Sequence, residues 1–171
     1  VVKIEEAAFC RCPSLRRVIM PGVITVETHA FRFCEALTDV ECGKLRIIGE
    51  EAFGNCKSLR SINLPSAWIV EGAAFECCDA LTDVKFGNKL ERIEERAFIS
   101  CESLERITIP LKHGLITHDD IFQLCSALMH VDLVEGELHE TIAALHLEEW
   151  RNDMNKEIHS INQILPTADA G

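Results

Sequence analysis

The stretch Ile48-Gly49-Glu50-Glu51-Ala52-Phe53-Gly54-Asn55-Cys56-Lys57-Ser58-Leu59-Arg60-Ser61-Ile62-Asn63-Leu64-Pro65 decides the fold. Its apolar residues stand at Ile48, Ala52, Phe53, Cys56, Leu59, Ile62 and Leu64, and the same set returns on both sides of it. Phe9, Phe31, Phe53, Phe75, Phe98 and Phe122 follow one another at 22, 22, 22, 23 and 24 residues, and Ala precedes five of the six. Three residues after each Phe comes Cys12, Cys34, Cys56, Cys78, Cys101 or Cys125, and three further on Leu15, Leu37, Leu59, Leu81, Leu104 or Leu128. Next come Val18, Val40, Ile62, Val84, Ile107 and Val131, and two residues beyond them Met20, Cys42, Leu64, Phe86, Ile109 and Leu133. Five residues before each Phe stands Ile4, Val26, Ile48, Val70 or Ile93, with Thr117 in the last unit.

A unit of this length cannot bury such a set alone, whereas stacked units bury it against one another. The Leu-x-x-Val-x-Met end alternates as a short half-buried strand does. Neighbouring units then place these strands parallel, about 4.8 Å apart. The Ala-Phe-x-x-Cys stretch has apolar residues at helical spacing and reads as a short helical turn on the opposite side, with the phenylalanines stacked as an interior ladder. A second period lies over the first. Units one, three and five reach Pro21, Pro65 and Pro110, while units two and four both read Ala-Leu-Thr-Asp-Val, at 36–40 and 80–84, and reach Gly43 and Gly87. Pro and Gly both stop a ladder and begin a turn.

Leu-x-x-Ile-x-Ile-Pro followed by Ile-x-x-x-Ala-Phe-x-x-Cys resembles the BspA-like leucine-rich repeats, over residues 1 to about 134. The resemblance implies an α/β fold: a right-handed, curved leucine-rich-repeat solenoid of short parallel strands and helical turns, its parallel sheet on the concave side. It further implies protein binding or surface adhesion, and it carries over no catalytic residue and no cofactor. The expected organisation is six leucine-rich repeats of 22–24 residues over 1–134, a helical C-terminal cap over 135–165 and a frayed end over 166–171. Unit six departs from the pattern, with Ile121 for Ala, Thr117 for the aliphatic residue and Val134 where Pro or Gly is expected.

The cap is read from spacing. Leu138, Ile142 and Leu145, and then Leu147, Trp150, Met154, Ile158, Ile161 and Leu165, recur at three or four residues, as the apolar stripe of an amphipathic helix does. Leu138-His139-Glu140-Thr141-Ile142 through Trp150-Arg151-Asn152-Asp153-Met154-Asn155 resembles the tail of repeat proteins abundant in diatoms. The charge changes at the same place, from −5 over 1–134 to −6 over the much shorter 135–171. A solenoid end needs such a cover; the alternative for this helix is pairing with another chain.

Residues between core positions of the strands should line the concave face in three rows. The first is Arg17, Asp39, Ser61, Asp83, Arg106 and His130; the second Arg16, Thr38, Arg60, Thr82, Glu105 and Met129; the third Ile19, Glu41, Asn63, Lys85, Thr108 and Asp132. The expected protein contacts are Arg16, Arg17, Asp39, Glu41, Arg60, Asn63, Asp83, Lys85, Glu105, Arg106, His130 and Asp132. The competing reading is a surface whose charges satisfy one another, each exposed pair worth roughly 0.2–1 kcal/mol. Arg favours recognition, whereas the absence of Tyr counts against it. At ~4.8 Å per strand the face covers about 300–400 Å², short of the ~800 Å² a stable partner needs. Edges and tail must therefore contribute, or the chain belongs to a longer array, a reading that a start inside a repeat supports.

Enzymatic signals are weak. His139-Glu140 is followed by Thr-Ile-Ala-Ala-Leu before His146, not by the His-Glu-x-x-His that zinc chemistry on a helix requires. The consecutive residues of His118-Asp119-Asp120 do not face one another and read as a solvated loop. Cys10-x-Cys12 and Cys77-Cys78 lack zinc-site spacing. The nine cysteines are an odd number, and six of them form the packing series. So many unpaired thiols fit a reducing, cytoplasmic compartment, or the cell surface if a signal segment lies upstream. Cys10 and Cys77 lie off the series and are the expected exposed thiols. With 17 Lys and Arg against 28 Asp and Glu, net −11, neither nucleic acid nor an anionic membrane is an expected partner. No run of 18 apolar residues suggests membrane insertion. The expected partner is a protein, or a second copy meeting the open face of the first repeat or the C-terminal helix.

Overall fold

The structure, a computed structural model, describes residues 2–112, 114–134, 156, 157 and 159–161. Eleven strands run through the described residues in two kinds that alternate as far as β10: β1 Lys3–Ile4, β2 Arg17–Ile19, β3 Thr25–Val26, β4 Asp39–Glu41, β5 Ile47–Ile48, β6 Ser61–Leu64, β7 Ile69–Val70, β8 Asp83–Phe86, β9 Arg92–Ile93, β10 Arg106–Pro110 and β11 His130–Val134. Every pairing is parallel. The Leu-x-x-Val-x-Met strands form the pair β2–β4 and the sheet β6-β8-β10-β11, and β4 packs beside β6. The aliphatic residue before each Ala-Phe lies on a second, narrower sheet, β1-β3-β5-β7-β9, which spacing alone did not reveal. Alternation sets the strand faces: in β6, Ile62 and Leu64 are buried while Ser61 and Asn63 are exposed. In unit six the aliphatic position is filled after all. Ile116, one residue before Thr117, bridges Ile93.

The phenylalanine ladder is as expected. Phe9, Phe31, Phe53, Phe75, Phe98 and Phe122 stack with nearly parallel rings at centroid separations of 5.3, 5.3, 5.4, 5.2 and 5.7 Å. Five of the six are buried; Phe9, in the first coil, is 41% exposed, and Ile4 is half-buried. Each buried ring contributes roughly 1.5–3 kcal/mol against the chain entropy.

The helical turn expected around Ala-Phe-x-x-Cys is absent; the backbone there makes consecutive tight turns. The residue before Ala and the second residue after Phe both take left-handed φ, as at Glu51 (50°) and Asn55 (58°), or Ala73 (52°) and Cys77 (53°). A left-handed residue ends an α-helix, so none propagates. Neighbouring coils provide the compensation. The amides of Glu51, Phe53 and Asn55 donate to Gly72, Ala74 and Glu76 of the next coil, while those of Ala52 and Gly54 turn back to Gly49 and Glu51. Alternate amides thus run along the solenoid and the others close turns, which leaves no orphaned donor in the bend. The fold is therefore a β solenoid with turns rather than α/β among the described residues; helical backbone occurs only at 156, 157 and 159–161. The rest of the expected cap, 135–155, 158 and 162–165, and the expected frayed end over 166–171 lie outside the described residues.

The cysteine series does more than fill space. Five of its six thiols donate to the carbonyl of the preceding coil's phenylalanine: Cys34 to Phe9 (3.1 Å), Cys56 to Phe31 (3.2 Å), Cys78 to Phe53 (3.2 Å), Cys101 to Phe75 (3.0 Å) and Cys125 to Phe98 (3.0 Å). Burial pushes the Cys42 thiol up to about 12 and raises Cys56 and Cys78. For Cys125 the bond with Cys101 raises it first and burial second. Cys101, between Cys125, which lowers it, and Cys78, which raises it, ends well above the ordinary thiol value. All nine cysteines are free.

Candidate functional site: the concave face

The three expected rows exist in register. Arg17 lies opposite Asp39, Ser61 opposite Asp83, and Asp83 opposite Arg106, which faces His130. Ile19 pairs with Glu41, and Asn63, Lys85, Thr108 and Asp132 follow one another across β6, β8, β10 and β11. The row of Arg16, Thr38, Arg60, Thr82, Glu105 and Met129 runs just before the strands, joined by Thr38 N–H to Arg16, Thr82 N–H to Arg60, Glu105 N–H to Thr82 and Met129 N–H to Glu105. Of the twelve nominated residues, Asp83 and Asp132 are half-buried and the other ten exposed.

Two of the arginines are paired across the strands, while Arg16 makes no ion pair among the described residues. Arg17 reaches diagonally to Glu41, whose carboxylate further favours the charged guanidinium through a hydrogen bond and then its field. Arg106 reaches diagonally to Asp132 at 2.7 Å. Between them, Arg60 and Lys85 make no ion pair among the described residues, and the enclosed Asp83 Oδ1 has no hydrogen-bond donor there. The two identical pentapeptides supply a lock that was legible only as duplication. Thr38 and Thr82 each donate their hydroxyl to the carbonyl of the arginine one coil back, Arg16 and Arg60, at 3.1 Å. Exposed Ile19 and Met129 give the face apolar ends.

Away from this face, Cys10, Cys12 and Cys77 are half-buried and the other six thiols buried, so Cys12 joins the two expected accessible thiols. Phe33 carries the guanidinium carbons of Arg11 and Arg32 at 4.6 and 4.8 Å from its centroid, and Arg32 pairs with Glu51 at 2.6 Å. Among the described residues no three His, Cys, Asp or Glu side chains are grouped as metal ligands, and no helix is long and apolar enough to cross a membrane.

Comparison with known proteins agrees with the architecture. Residues 2–129 match, in 6 copies, the family described as BspA type leucine rich repeat region. The chain is similar to the crystal structure of a T. pallidum leucine rich repeat protein, with 29% identity and a TM-score of 0.73 over 79% of this chain and 64% of that one. It is also similar to a leucine rich cell surface protein from Faecalibacterium prausnitzii A2-165, with 27% identity and a TM-score of 0.65 over 94% of this chain. The chain thus spans 64% of the length of the first and 38% of the second. No curated protein matches it.

Proposed function

Because the chain belongs to the BspA-type leucine-rich-repeat family, we propose that it is a non-catalytic protein-interaction module that reads its partner with the concave face. The observation that carries this reading is the uneven neutralisation of that face. Arg17 and Arg106 are paired, whereas Arg16, Arg60, Lys85 and the enclosed Asp83 oxygen are left for another molecule to satisfy. A buried acceptor without a donor costs about 1–3 kcal/mol, which a partner's donor would recover. The test is cross-linking of captured partners to the parent and to an Arg60→Glu/Lys85→Glu double variant. Cross-links should map to β6 and β8 and be lost in the variant; the same partners held at the same affinity would refute the concave reading.

A structural or adhesive role in a longer array at a cell surface is the second reading, favoured by likeness to the F. prausnitzii cell surface protein, of which this chain spans 38%. The cytoplasmic placement expected from the thiols loses its basis. Buried, hydrogen-bonded thiols are shielded from oxidants in any compartment, so their free state does not report on one. Protease shaving of intact cells separates the readings: degradation only after lysis would exclude the surface role. In this proposal residues 1–134 form the interaction array and 135–165 a helical cap. The 5% exposure of Ile161, which joins the solenoid's apolar cluster, supports that cap.

A further inference from the structure

The flank joining the two sheets is basic in an acidic protein. Its connecting segments, 20–24, 42–46, 65–68, 87–91 and 111–115, contain Lys44, Arg46, Lys89 and Lys112 and a single acid, Glu91. That is net +3 against −11 for the whole chain, which leaves −14 on everything else. Lys44, Arg46 and Lys89 are exposed and make no ion pair among the described residues.

In the middle of this flank stands Trp68, 46% exposed. It occupies the row between Arg46 and Glu91: its amide donates to the Arg46 carbonyl (2.8 Å), and the Glu91 amide donates to its own (2.9 Å). The adjoining outward row of the second sheet adds Ile47 and Ile69, in register on β5 and β7 and only half-buried. An indole and two isoleucines partly open to water, on a flank whose net charge stays positive although Glu91 adjoins Trp68, combine the residue types that dominate binding energy with a local field that draws anions. The isoleucines separate the candidate ligands. A glycan or nucleic acid gains little from aliphatic neighbours, whereas a peptide side chain buried there gains about 25 cal/mol per Å².

We propose that this flank binds an acidic segment of a protein partner, which seats an apolar side chain on Trp68 and Ile69 and its carboxylates on Arg46, Lys44 and Lys89. The site is separate from the concave face and does not depend on that reading. The probe is a fluorescein-labelled peptide, Glu-Asp-Glu-Leu-Glu-Asp-Glu, with a second peptide carrying Ser for Leu and a third carrying Lys for every acid. Trp150→Phe leaves Trp68 as the sole indole. On saturation with the Leu peptide its emission should move to shorter wavelength. Affinity read by anisotropy should fall about tenfold in Arg46→Glu and in Trp68→Ala, fall severalfold for the Ser peptide and vanish for the Lys peptide. It should stay unchanged in the Arg60→Glu/Lys85→Glu variant. Equal binding by Arg46→Glu and parent, equal binding of the Leu and Ser peptides, loss in the concave variant, or displacement by dextran sulfate at lower concentration than by unlabelled peptide would each overturn the proposal.

Discussion

Raising the pH should unfold this protein through its thiols. Cys42, Cys56, Cys78, Cys101 and Cys125 are buried in the folded chain and held protonated, Cys42 to about 12. In an unfolded chain a thiol ionises near 8.5. For an acid whose folded value is raised, the stability is intact below the unfolded value and is lost as pH climbs through it toward the folded one. A thiol still protonated in the fold costs about 2 kcal/mol when the pH moves from 8 to 10, because the unfolded chain gains the ionisation and the folded one does not. Cys42 alone therefore removes a sizeable part of the roughly 5–15 kcal/mol that holds a typical domain together, and the other raised thiols add to the loss. The chain has no Tyr, so no phenol titrates alongside the cysteines. Urea unfolding followed by circular dichroism under argon, at pH 7.5, 8.5 and 9.5, should show a midpoint that falls steeply above pH 8.5. Cys101→Ala/Cys125→Ala should flatten that fall although it lowers the starting stability. A midpoint unchanged between pH 7.5 and 9.5, or full alkylation of these thiols at pH 9 in the folded protein, would refute the reasoning.

Phe53→Ala should cost about 3–5 kcal/mol, since the ring is buried and stacked on both sides at 5.3 and 5.4 Å, and Phe9→Ala less than half of that, because Phe9 is 41% exposed and stacked on one side only. Equal losses in urea titrations would remove the ladder as the source of stability. Gly43 and Gly87 occupy the same repeat position, yet a Cβ at Gly87 would meet the Pro65 carbonyl oxygen at 2.3 Å, whereas one at Gly43 meets nothing within 4 Å. Gly87→Ala should therefore lower the thermal midpoint by several degrees, and Gly43→Ala should hardly move it. Ala73 has φ 52°, so Ala73→Gly should be neutral or stabilising, while Ala74→Gly, at the buried position beside it, should destabilise by about 1 kcal/mol or more; the reverse order in melting curves would contradict the turn geometry.

What the sequence determined by itself is the period and everything that follows from identical positions stacking. Phe-to-Phe spacing placed the ring ladder, and the Leu-x-x-Val-x-Met alternation placed the strands, their parallel register and the three outward rows. These were legible because each depends on which side chains are apolar and how far apart they stand. The tertiary structure decided the rest, because the deciding partner sits one coil, some 21–27 residues, away. The Ala-Phe bend has helical spacing yet turns without a helix, since alternate amides find acceptors on the next coil and left-handed residues such as Glu51 carry no glycine to announce them. The same distance separates each thiol from the Phe carbonyl it bonds, Gly87 from the Pro65 oxygen that forbids a side chain there, and Arg46 from the Trp68 beside it. Repetition specifies what stacks; only the stacked backbone specifies which polar groups meet.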